Sequence, residues 1–281
     1  MRTIGAFLLL ASAALAEDRC TRIVSLAPSI SETIFALGLG SQLVGVSRFC
    51  TLPAEASNLP RMGGFVDPNF EAIAAAQPSA VFFLTEFRQR AEELQSLGIP
   101  TYPLDQRTVS GILESIGILG KICKSEERAR ALQKELRQEA EEIRVRVEGK
   151  PRVRTLVVVG SESIDSLRSL YLSGQDGFYD ELLTMAGGQN VVKGQTRSAQ
   201  ALALEGIVAL NPEVIIAIHP NFPNEAEGAT KALAAWSEFP MISAVRNRRV
   251  YVLSSPEMYI PGPRYPRLLE RLARILHPEV F

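Results

Sequence analysis

The chain has 281 residues, enough for one large or two small domains, and its 46% hydrophobic and 22% charged residues are those of an ordinary globular protein. A formal net charge of −1, with no basic run carrying interleaved aromatics, gives nucleic-acid binding no footing, although local arginines can still hold a small anion. With only His219 and His277 available, a zinc or manganese site built from several histidines is excluded.

In chain order, residues 1–16 read as a signal peptide. Arg2 is the positive start, Ile4 to Ala14 the apolar stretch, and Ala14-Leu15-Ala16 the cleavage site. The stretch is too short to span a bilayer, and no later segment is apolar enough to do so. Cys20 suggests lipidation, but Glu17, Asp18 and Arg19 stand where small residues are needed. The expectation is a periplasmic, soluble protein that is not a lipoprotein.

Arg22 to Leu26 predicts a strand, followed by a helix capped by Ser29 or Ser31 and stopped at Gly38 and Gly40. Leu43 to Ser47 predicts a second strand. A Pro- and Gly-rich loop follows, and Asp67-Pro68 opens a helix to about Ala76 with Asp67 as its cap. Ala80–Leu84 and Ile99–Leu104 predict strands, Phe87–Leu97 and Val109–Cys123 helices. Alternating strands and helices read as parallel βαβ units. Ser125 to Val147 carries Ala129, Leu132, Leu136, Ala140 and Ile143 at helical spacing, a connector on the order of 35 Å long. The second half predicts strands at Thr155–Val159, Val214–Ile218 and Val250–Leu253. Its helices fall at Phe178–Met185, Leu202–Leu210 and Pro263–Leu276, and Trp236 reads as core.

The two halves repeat one another. Glu71-Ala-Ile-Ala-Ala-Ala-Gln-Pro78 is echoed by Glu205-Gly-Ile-Val-Ala-Leu-Asn-Pro212, each before a buried-strand run. Glu32 to Gly40 is echoed by Asp180 to Gly188. The division expected is 1–16 signal peptide, 17–124 first α/β lobe, 125–150 connecting helix and 151–281 second α/β lobe. A ligand cleft lies between the lobes. The fold class is α/β, two similar lobes with mainly parallel sheets joined by one long rigid helix.

Three cysteines in an exported chain suggest one disulfide and one free thiol. Cys20 precedes the first strand and Cys123 ends the helix returning from the fourth, so both belong at the sheet end away from the cleft. Cys50 follows the second strand at the cleft end. The expected disulfide is Cys20–Cys123.

No G-x-S-x-G, Walker, G-x-G-x-x-G or H-E-x-x-H pattern is present, and no histidine is expected near Gly160-Ser161-Glu162-Ser163 to activate a serine, since nothing in the spacing brings His219 or His277 to one. The chain is expected not to be an enzyme; a secreted α/β hydrolase or transferase is the alternative from another class. Ligands of open α/β sheets sit beyond the carboxyl ends of the strands. That rule selects Ser29, Arg48, Phe49, Phe87, Arg88, His219 and Tyr259, with Phe65, Arg197 and Arg264 in adjoining loops. Phe222 follows His219 in the same loop. Aromatics cover the apolar face of a bulky ligand, and arginines take its carboxylate or phenolate oxygens. His219 reads either as a hydrogen-bonded loop residue or as a metal or heme ligand, and Met258 and Tyr259 are weaker candidates for iron.

Arg22-Ile-Val-Ser-Leu-Ala-Pro-Ser-Ile-Ser-Glu32, Val44-Gly-Val-Ser, Gly63-Gly-Phe-Val-Asp-Pro-Asn-Phe-Glu71 and Gly187-Gly-Gln-Asn-Val resemble the periplasmic binding proteins of ABC importers. The group is the one with a helical backbone that serves vitamin B12, ferric siderophores and heme. The resemblance implies two lobes on one long helix, no cofactor, no metal ion held by the protein alone, and a monomer. It also implies that Glu71 and Glu205 dock on arginines of an inner-membrane ABC permease. Vitamin B12 binders of the group often line the cleft with tryptophans, whereas the mature chain has only Trp236. With Arg48, Arg88 and Arg264 available, the ligand expected is a ferric siderophore-type chelate, ahead of cobalamin and then heme. A sensory subunit serving a receptor instead of a permease is a third reading.

Overall fold

The computed structural model of the chain describes residues 19–161, 167, 170–194, 200–202, 204–220 and 225–281. The expected signal peptide, Arg197 and Phe222 lie outside them. The first half builds a parallel sheet in the order β2 (Leu43–Val46), β1 (Ile23–Ser25), β3 (Ala80–Leu84), β4 (Thr101–Leu104). Around it lie α1 (Pro28–Ala36), α2 (Phe70–Ala75), α3 (Arg88–Ser96) and α4 (Val109–Ile122). β3 shows why both faces are covered. Phe82 points to one buried cluster, while Val81 and Phe83 point to another, as period-two alternation demands.

α5 (Glu126–Arg146) follows, and its 21 residues span about 30 Å. Ala129, Leu136, Ala140 and Ile143 form its buried stripe, and its other faces are charged. The second half adds β5 (Val153–Ser161), β6 (Leu170–Leu172), α6 (Phe178–Met185), β7 (Gly188–Asn190), β8 (Gln200–Leu202), α7 (Leu204–Leu210) and β9 (Val214–Ile218). It continues with α8 (Glu225–Trp236), α9 (Ser243–Arg246), β10 (Val250–Leu253), α10 (Pro256–Tyr259) and α11 (Tyr265–Leu276). The second sheet runs β10-β9-β5-β6-β8, with β7 also on β5. β10, β9, β7 and β5 are parallel, whereas β6 and β8 are antiparallel additions that the sequence did not announce.

One buried cluster runs from Ile23 and Phe82 through α4, α5 and α11 to Val157 and Ile216 of the second sheet. α5 therefore packs into a core shared by both lobes. Tyr265 of α11 donates its hydroxyl to the Leu136 carbonyl of α5 at 3.0 Å, and burial pushes that phenol up to about 12. Two caps differ from expectation. Asn69, not Asp67, caps α2 by accepting from Ala72 N, because the helix begins at Phe70, and Asp67 pairs with Arg48 instead. α1 starts at Pro28 with no side-chain cap, so Ser29 and Ser31 lie inside the helix. A disulfide joins Cys20 to Cys123, and Cys50 is a buried free thiol.

Candidate functional site

Parallel pairing lines up the carboxyl ends of the first sheet: Arg48-Phe49 after β2, Ser29 after β1, Glu86 to Arg88 after β3, and Asp105 to Thr108 after β4. A cleft of about 870 Å³ opens between this edge and the second lobe. Its first-lobe wall comprises Ser29, Leu84, Glu86 and the loop from Asp105 to Thr108. Its second-lobe wall comprises Val159, Leu172, Ser173, the turn from Asp176 to Tyr179, and Pro261.

Close contacts fix the walls to one another. Gly177, at φ +92°, lies against the Arg107 carbonyl, and a Cβ there would stand 3.2 Å from it. Gly262 lies against Ser29, where an added Cβ would stand 3.1 Å from the serine Cβ. Glu181 of α6 accepts a 2.6 Å hydrogen bond from Val109 N, so a second-lobe carboxylate sits at the start of first-lobe helix α4. Thr108 caps the same helix by accepting from Gly111 N.

Among the described lining residues, the carboxylates of Glu86, Asp105 and Asp176 face one guanidinium, that of Arg107. Hydrogen bonds from Arg107 hold the Asp105 carboxyl below its usual range. Burial pushes the Tyr179 phenol up.

Of the residues selected from the sequence, Ser29 lines this cleft. Phe49, Phe65 and Phe87 form an aromatic row, with centroids 5.3 and 4.7 Å apart, along the β2 and β3 ends of the same edge. Arg48 stacks 5.8 Å from the Phe49 centroid and is ion-paired to Asp67. Arg88 is exposed at the start of α3. Tyr259 is half-buried on α10 against the shared core, where burial raises its phenol. Arg264, selected as a ligand contact, is committed elsewhere. It bridges Glu32 and Glu257 at the seam between the lobes.

His219 corrects another expectation. Pairing of β5 with β9 brings it to Ser161, 58 positions away, with Nε2 3.0 Å from the serine Oγ. A histidine does therefore lie beside Ser161. It is 9% exposed, and burial lowers its pKa and favours the neutral ring. Glu71 and Glu205 are both exposed in the first turns of α2 and α7. Among the described residues, no group of three or more His, Cys, Asp or Glu converges as a metal site.

Sequence reasoning passed over Asp105 to Thr108 and Asp176 to Tyr179. The first was within reach, since the strand-end rule applied to β4 selects that loop. The second follows an antiparallel strand, to which the rule does not apply.

The family model for periplasmic binding proteins matches residues 23–257. The chain belongs to this family. An ABC transporter substrate-binding lipoprotein of Bacillus subtilis is 28% identical over 267 residues, covering 92% of this chain and 81% of the relative. The crystal structure of a periplasmic vitamin B12 binding protein of Vibrio cholerae superposes with a TM-score of 0.79 at 23% identity, covering 92% of this chain and 97% of that one. A periplasmic heme binding protein from Pseudomonas aeruginosa gives 0.77 at 24%, covering 92% and 93%. The likeness to these two structures speaks for the periplasmic binding protein fold alone. The Bacillus relative overturns the expectation of a non-lipoprotein. The charged residues before Cys20 bear on acylation at that one position alone.

Proposed function

We propose that this chain is the substrate-binding component of an ABC importer, and that its cleft takes a corrinoid of the vitamin B12 class. The observation that carries the ligand class is the charge of the cleft. Asp105 and Arg107 are paired with one another, which leaves the carboxylates of Glu86 and Asp176 in excess among the described lining residues. Such a wall repels an anionic chelate and suits a ligand fringed with neutral amide groups, whose N–H bonds carboxylates accept. Of the arginines that favoured an anionic iron chelate, Arg48 and Arg264 are already paired with carboxylates. The row of Phe49, Phe65 and Phe87 offers flat apolar area to a macrocycle at the same edge. Vitamin B12-binding proteins of Vibrio are among the relatives, one from Vibrio campbellii being 25% identical over 260 residues.

Glu71 and Glu205 are assigned to docking on basic residues of the permease. Their equivalent first-turn positions in two lobes and their exposure support this. An iron chelate is the second reading, favoured by the exposed Arg88, two positions after the lining residue Glu86. Titration calorimetry with cyanocobalamin, a ferric trihydroxamate and hemin tests the ligand. One-to-one binding of cyanocobalamin, tighter than either iron compound, is expected. A preference for an iron compound overturns the corrinoid assignment.

A further inference from the structure

The loop after β4 is almost fully engaged. The Asp105 carbonyl accepts from Ser115 Oγ, the Asp105 carboxylate accepts from the Arg107 backbone and guanidinium, and Thr108 caps α4. Gln106 is the exception. It lines the cleft, yet the residue is only 3% exposed. Its Oε1 accepts from Ser29 Oγ at 2.5 Å, and its Nε2 has no hydrogen-bond partner among the described residues. Exchanging the amide oxygen and nitrogen does not remove the problem. Ser29 Oγ would then accept from Nε2, and Oε1 would be left alone in its place. Either way one polar atom of a buried amide is idle.

Buried amides that stay unsatisfied destabilise the fold, and an apolar side chain of the same volume would avoid the cost. An idle donor held in the wall of a ligand cleft is therefore best understood as a group awaiting its acceptor. We propose that the Gln106 carboxamide is a specificity-determining contact, whose Nε2 donates to a carbonyl-type oxygen on the rim of the bound molecule. With Ser29, itself 3% exposed, donating to Oε1, Nε2 is the end left to offer. The pair spans two strand ends, β1 and β4, of the same sheet. A site that hydrogen-bonds an acceptor discriminates against analogues lacking one, because the donor is then left unpaired.

The identity of the acceptor rests on the corrinoid reading, where it is a peripheral carboxamide. Gln106→Leu removes the donor at similar volume. Cyanocobalamin affinity is expected to fall at least tenfold, and with Ser29→Ala added, so that no buried hydroxyl loses its partner, the ligand-free variant is expected to melt no lower than the wild type. Gln106→Glu, which cannot donate when ionised, should lose affinity to the same extent. A melting temperature several degrees lower in the ligand-free double variant Ser29→Ala with Gln106→Leu overturns the proposal, because the amide is then structural. If the wild type does not bind cyanocobalamin, the corrinoid reading falls by itself, and the same proteins are compared with a ferric trihydroxamate and hemin. The Gln106 proposal is overturned if no probe separates wild type from Gln106→Leu.

Discussion

Glu32 and Arg264, 232 positions apart in the chain, form a two-pronged ion pair across the seam between the lobes, at 2.6 and 2.8 Å. The carboxylate is 6% exposed and the guanidinium 19%. Glu257 accepts a third bond from the same guanidinium at 3.0 Å. Burial disfavours the charge on Arg264, and the two carboxylates outweigh it, so the guanidinium pKa lies above its usual value. Removing one partner of a buried pair strands the other. Arg264→Ala is therefore expected to lower unfolding stability by about 3 kcal/mol in denaturant titrations. Arg264→Lys should recover only part of this, since an ammonium cannot form the fork. A loss below about 1 kcal/mol would place the pair with ordinary surface contacts.

The Cys20–Cys123 disulfide closes a loop of 103 residues. In the chain-entropy account such a link is worth about 4–5 kcal/mol. The double replacement by Ser is expected to lower the denaturation midpoint by a corresponding amount. In the folded wild type, a thiol reagent should label nothing quickly. Cys50 is buried, and its burial pushes the thiol pKa up, which suppresses the reactive thiolate. Rapid labelling of Cys50 would contradict that placement.

Reversing the two carboxylates proposed for docking, Glu71→Arg with Glu205→Arg, should leave melting temperature and ligand affinity near wild type. Both residues are exposed in first turns, where a charge contributes little to stability. Ligand-stimulated ATP hydrolysis by the cognate transporter in membranes should be lost, because rim charges govern association. Normal stimulation by the double variant would remove the docking role.

His219 gives a pH dependence whose sign follows from burial. Its folded pKa lies below the unfolded value of about 6.5, so the unfolded chain binds a proton first. The stability that the neutral ring contributes is complete above the unfolded pKa and is lost as pH falls towards and through the folded one. His219→Gln should flatten the slope of melting temperature against pH on the acid side of about 6.5. The imidazole resonances of the wild type should titrate below that value. Titration above it would show a charged partner at the ring.

The lobes, the long connector and the first sheet were legible because each rests on a local pattern. β3 was read at its observed limits, Ala80–Leu84, from its apolar run between turn signals, and α5 to within one residue at each end from its repeating apolar stripe. Features set by competition between groups were not legible. Asp67 and Asn69 are both good caps, and only the observed start of the helix at Phe70 makes Asn69 the cap and leaves Asp67 to pair with Arg48. β6 and β8 are short strands held by pairing with β5 and with each other, so neither carries a period of its own. The Ser161–His219 contact and the Glu32–Arg264 pair depend on strand order and lobe placement, which spacing along the chain does not reveal.

The core that runs unbroken from the first sheet through α5 and α11 to the second has a consequence for melting. Two lobes joined by a loose linker would unfold independently, and a ligand touching both would sharpen two transitions into one. Here neither half can lose its packing without exposing the interior of the other, so heat should produce a single calorimetric endotherm even in the empty protein, with its van 't Hoff enthalpy equal to the measured one. Each increment of ligand occupancy then raises the midpoint of the whole molecule by mass action. A simple melting-shift screen of unknown compounds thus reads cleft occupancy directly.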